Sequence, residues 1–134
     1  MGTLGGSVAR LLLCAACLTT ASCAWLDSRQ RALALRPTPA ANPSFDGLRP
    51  GDVVFSRRVP GGSAVADRIQ LWWLPHPDPR APTLLYLHGS FRNLFQNLPQ
   101  IDALREAGFA ILALDYRGWG ESTPIIPTEE TIYA

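Results

Sequence analysis

The alternation of apolar and polar positions changes period along this chain, and each period predicts an element. Asp52 to Val59 alternates imperfectly and runs into Pro60-Gly61-Gly62, a turn cluster. Ala66 to Leu74 sets Ile69, Leu71 and Trp73 against Arg68, Gln70 and Trp72, so the two segments read as an antiparallel hairpin. Of the tryptophan pair, one is expected inward and one partly exposed, as packing rather than as a substrate platform. Pro75 to Pro82 is too rich in proline for strand or helix. Thr83-Leu84-Leu85-Tyr86-Leu87-His88 and Phe109-Ala110-Ile111-Leu112-Ala113-Leu114 are nearly continuous apolar runs, the mark of strands buried on both faces of a parallel sheet. Between them Leu94, Leu98, Ile101 and Leu104 recur at helical spacing, leaving Gln96, Gln100, Arg105 and Glu106 on the wet side. Gly108 supplies a left-handed stop, and Pro99 fits if it falls in the first turn, with Asn97 or Leu98 at the boundary. A crossover of this length predicts that the two runs are parallel and share a sheet.

The first 50 residues follow a different pattern. Arg10 precedes a short apolar core, Leu11 to Leu18, too short to span a bilayer, so residues 1–23 read as an export signal. Thr20-Ala21-Ser22-Cys23 resembles a bacterial lipobox, which implies lipidation of Cys23, a membrane anchor and a place in the cell envelope. Ordinary cleavage after Ala24, giving a periplasmic or secreted soluble protein, is the alternative. All three cysteines, Cys14, Cys17 and Cys23, lie in this leader, so no disulfide is expected in the folded part. Residues 24–50, with Arg36-Pro37-Thr38-Pro39-Ala40-Ala41-Asn42-Pro43, read as a semi-rigid tether reaching roughly 3 Å per extended residue, or else as an irregular arm packed on the domain. A short helical turn around Ser28 to Leu35 fits the same stretch. With 134 residues and a net charge of +1, there is room for one modest domain over 51–134 and no reason to expect a nucleic-acid partner.

Two motifs carry a resemblance. Leu85-Tyr86-Leu87-His88-Gly89-Ser90, followed by Leu114-Asp115-Tyr116-Arg117-Gly118-Trp119-Gly120-Glu121-Ser122, resembles the third and fourth strands of an α/β-hydrolase, most closely the lysophospholipase and serine aminopeptidase-like branch. The similarity covers about Gly51 to Ala134. It implies an α/β fold made of the N-terminal part of a hydrolase sheet: an antiparallel hairpin, then strand, helix and strand, in the order 1-2-4-3.

The resemblance also assigns roles. The amide following His-Gly faces the carbonyl oxygen under attack, which makes the backbone N–H of Ser90, with Phe91 next, the candidate oxyanion donor. Glycine at 89 lets the backbone turn and leaves space for an approaching group. His88 is expected to hold this loop by hydrogen bonds. Asp115, Arg117, Gly118 and Gly120 form structural support and stay outside the catalytic set. Arg92 suits an ordinary loop ion pair or an acidic substrate group.

A serine hydrolase also needs Gly-x-Ser-x-Gly, an acid and a late histidine, and none occurs here; the only histidines are His76 and His88. The expectation is the N-terminal part of a hydrolase of esters, thioesters or amides, with an acyl or other small-molecule substrate, no cofactor and no metal. The 134 residues alone are expected to be inactive, and their third strand to be an aggregation-prone edge. A noncatalytic envelope lipoprotein or binding remnant of the fold is the alternative. No Gly-x-Gly-x-x-Gly joins a strand to a helix, which disfavours a nucleotide binder. Thr128 is placed to cap a terminal helix opened by Glu129 and Glu130.

Overall fold

The computed structural model describes residue 10 and residues 22–39, 47–59 and 67–133. Most of the leader, the Pro60-Gly61-Gly62 turn and residues 40–46 lie outside the described residues. A helix, α1, covers 22–35, followed in order by β1 (Val53–Arg58), β2 (Arg68–Leu74), β3 (Thr83–Leu87), a 3₁₀ turn (Phe95–Asn97), α2 (Leu98–Glu106), β4 (Ala110–Asp115) and α3 (Glu129–Tyr133). The strands form one mixed sheet in the order β1-β2-β4-β3. β1 pairs antiparallel with β2 and β2 antiparallel with β4, while β3 lies parallel to β4 with Thr83 opposite Ala110 and Leu87 opposite Leu114. This α/β arrangement is consistent with an incomplete hydrolase sheet of the kind the resemblance implies.

The core sits between the sheet and α2. Trp72 and Leu74 of β2, Ile111 and Ala113 of β4, Leu94 and Ile101 are buried together, with Leu84 and Tyr86 of β3 packed against them. Phe95 meets Trp72 edge-on at 5.1 Å. Trp72 is sealed and Trp73 half-buried, one inward and one partly exposed as expected, although the sealed one is the tryptophan that alternation set with Arg68 and Gln70. Pro99 falls in the first turn of α2 behind Asn97, where its missing N–H leaves no helical bond unmade. Gly108 adopts φ +97° and ends the helix.

Three local readings require correction. β3 is not buried on both faces: Leu85 and Leu87 are 59% and 50% exposed. It is the sheet's outer strand, and its apolar run therefore records only half the cover that an interior strand would have. Arg105 is not on the wet side. Its guanidinium grips Asp52 through two bonds of 2.9 and 2.7 Å and is almost wholly buried, in a partnership spanning 53 residues that helical periodicity cannot reveal.

The third correction concerns the tether. Residues 22–35 are helical, beyond the short turn allowed around Ser28 to Leu35, because Trp25 to Leu35 contains no proline or glycine and abounds in helix formers. After the helix the chain docks on the domain: Thr38 O accepts the Gly120 N–H at 3.0 Å and the Asn93 Nδ2–H at 3.3 Å. Pro39 forms a bridge with Gly120.

Candidate functional site

Two loops meet at the C-terminal ends of the parallel strands: residues 88–92 after β3 and residues 116–122 after β4. Asp115 closes β4 fully buried, and its Oδ1 accepts the Leu94 N–H at 2.9 Å. The His88 imidazole, equally sealed from solvent, places Nε2 3.1 Å from the same oxygen, though not aligned as a hydrogen bond. Its other nitrogen, Nδ1, lies 2.7 Å from Gly89 O. A carbonyl only accepts, so Nδ1–H is the donor there. His88 therefore holds the peptide that leads into Ser90, with its other nitrogen packed beside the carboxylate that ends β4.

The loop after β4 is closed upon itself and upon β2. Ser122 Oγ donates to Asp115 O at 2.6 Å and accepts the Gln70 N–H at 2.9 Å. Arg117 donates to Asp67 Oδ2 at 2.9 Å, and to Thr131 O through Nε at 3.0 Å and an Nη at 2.8 Å, so one buried guanidinium joins the residue preceding β2 to α3. Gly118 has φ +96°, and a side chain there would strike Ile125 O at 2.8 Å. Gly120 has φ +52°, and a Cβ there would overlap the Asp115 carboxylate. Both positions thus require glycine for backbone shape and for space.

Trp119, between those glycines, is the residue that motif reading left without a role. It is buried, and its indole Nε1–H donates to Ser90 O at 2.9 Å. Its ring packs with His88 at 5.7 Å and Tyr116 at 6.1 Å. The signal lay in its type: a tryptophan among small and polar loop residues packs when it can, and a buried indole N–H seeks an acceptor. Burial, then the neighbouring Tyr133 phenol, raise the Tyr116 pKa above its ordinary 10.0.

The backbone carrying the candidate donors differs in character. Gly89, Ser90 and Phe91 are exposed, and neither the Ser90 nor the Phe91 N–H meets an acceptor among the described residues. Gly89 does not adopt the left-handed conformation, so the expected sharp turn is not what requires glycine. A Cβ at 89 would meet nothing within 4 Å, so the position stands open beside the strand end. Arg92 makes no ion pair among the described residues; its guanidinium stacks 5.5 Å over the exposed Phe91 ring. A cavity of about 160 Å³ lies beside the loop, lined by His88, Ser90, Tyr116 and Trp119 and closed by Leu35 and Ile132 from α1 and α3.

Elsewhere, Cys23 is an exposed free thiol on α1. Thr128 Oγ1 accepts the Thr131 N–H at 3.2 Å, capping α3. Among the described residues no cluster of His, Cys, Asp and Glu could hold a metal ion, and no helix is long and apolar enough to cross a membrane.

Comparison with known proteins finds a stretch 45% identical over 51 residues to Protein ABHD12B of Homo sapiens, an α/β-hydrolase domain protein. That stretch is 37% of this chain and 14% of the human protein, and it supports a loose α/β-hydrolase relationship. No protein-family model matches, and no solved structure does.

Proposed function

We propose that these residues are the N-terminal part of a serine hydrolase cleaving an ester, thioester or amide, in which the Ser90 N–H, with Phe91 beside it, receives the oxyanion. The observation that carries this reading is a pair of consecutive, exposed N–H groups without acceptors, set at the end of a parallel strand beside an open position at Gly89. Donors fixed before charge develops are the ones that lower a barrier, each typically by about a hundred- to a thousandfold in rate. The nucleophile, acid and catalytic histidine would come from sequence after Ala134. As the serine attacked the carbonyl carbon, the histidine would take its proton and return it to the leaving group. In this reading the substrate is an acyl compound, export places the protein in the cell envelope, and lipidated Cys23 anchors it to the membrane.

A fluorophosphonate probe applied to the native protein in its source cells tests this reading. Labelling at a mass well above that of 134 residues is the expected result. No labelling of a well-folded native sample overturns it and leaves a noncatalytic remnant of the fold. Cys23→Ser tests the anchor separately, since it should release the protein from the membrane fraction.

A further inference from the structure

We propose that Trp119 is a positioning residue for the oxyanion loop, clamping the backbone around Ser90 together with His88. The clamp rests on the reading of Ser90 and Phe91 as donors, but its geometry stands apart from that reading. Both peptide groups flanking the Ser90 Cα are held at their carbonyl ends by buried side-chain N–H donors. His88 Nδ1 lies 2.7 Å from Gly89 O, and Trp119 Nε1 lies 2.9 Å from Ser90 O. In a trans peptide the C=O and N–H point in opposite directions, and no cis peptide occurs among the described residues. Drawing each carbonyl toward a buried ring therefore turns the N–H of the same peptide away from it. Gly89 O governs the Ser90 N–H, and Ser90 O governs the Phe91 N–H. With both peptide planes fixed, the ψ of Gly89 and the φ and ψ of Ser90 lose their freedom, although the loop is exposed.

Trp119 is itself held. Gly118 and Gly120, each with positive φ, shape the backbone on either side of it, and its own N–H donates to Tyr116 O at 3.0 Å. The aim of the candidate donors is thus referred to the loop after β4, a segment that touches no reacting atom. Misplacing a catalytic group by about 1 Å can cost on the order of a hundredfold in rate. Loosening this clamp should accordingly appear in kcat more than in KM.

The test replaces Trp119 in the full protein encoded by the native gene, first as Trp119→Phe. A second variant carries the benzothienyl analogue of tryptophan, which keeps ring shape and replaces the N–H with sulfur. Backbone ¹⁵N relaxation reads the clamp directly. Order parameters at Ser90 and Phe91 are expected to fall from about 0.85 to below about 0.6 in both variants, with β4 amides unchanged. Hydrolysis of an activated ester should lose about 10- to 100-fold in kcat with KM within about twofold. Unchanged order parameters in the benzothienyl variant overturn the clamp, whatever the activity. A fall in order parameters in a protein whose wild type hydrolyses nothing upholds the clamp and overturns the functional reading instead.

Discussion

The two loops at the ends of the parallel strands are built on opposite principles. In residues 116–122 only Glu121 is exposed, and the segment is stitched to β2, α3 and the N-terminal arm. In residues 88–92 only His88 is buried, and the backbone beyond it stands in solvent with two N–H groups unanswered. Under the proposed function, the contrast separates support from work. A loop that must present free donors cannot satisfy its own polar groups, so its shape has to come from a neighbour whose groups are satisfied.

The sharpest way to break that contrast is to damage the supporting loop at Arg117. Arg117→Met would strand the Asp67 carboxylate and Thr131 O without their buried donor, and a loss of about 3–5 kcal/mol is expected in urea unfolding. Gly120→Ala comes next: its Cβ would overlap the Asp115 carboxylate at an unfavourable φ, and about 2–4 kcal/mol should be lost in the same assay. The presenting loop should respond in the opposite way. Gly89→Ala finds open space and an ordinary backbone, so its stability should change by less than about 0.5 kcal/mol. Under the proposed function its effect belongs to turnover, where a methyl group beside the attacked carbonyl should remove at least about tenfold of the full protein's activity.

The smallest effect concerns pH. The folded pKa of Tyr116 is raised above 10.0, so the unfolded chain releases the phenolic proton first as pH rises. Its contribution to stability is complete below about pH 10 and is lost as pH climbs through the raised folded value. A Tyr116→Phe variant should therefore show a shallower alkaline loss of stability than the parent in a pH series of thermal melts.

Local patterns found most of the framework for physical reasons that act over a few residues. Apolar runs located β3 and β4, Gly108 marked the end of α2, and Pro99 allowed its own place in the first turn. Two missed features depend on partners far along the chain. Arg105 is buried because Asp52 waits 53 residues earlier, and Trp119 matters because Ser90 O lies 29 residues before it. The apolar run of β3 misled in the other direction: its composition suits a covered strand, while its place at the sheet's edge leaves Leu85 and Leu87 in water. In the candidate site, His88, Gly89 and Asp115 stood out in the motifs, but hydrogen-bond direction is a property of three dimensions.

The docking of Thr38 and Pro39 on Gly120 alters how the chain can be trimmed. A shorter version starting at residue 51, where composition shifts, would leave the Gly120 N–H and the Asn93 amide without the carbonyl that now receives both. Gly120 lies within the loop after β4, and Asn93 directly follows the loop after β3. Cutting there would spare every strand and still remove the contacts by which residues 38 and 39 dock on Asn93 and on the loop after β4.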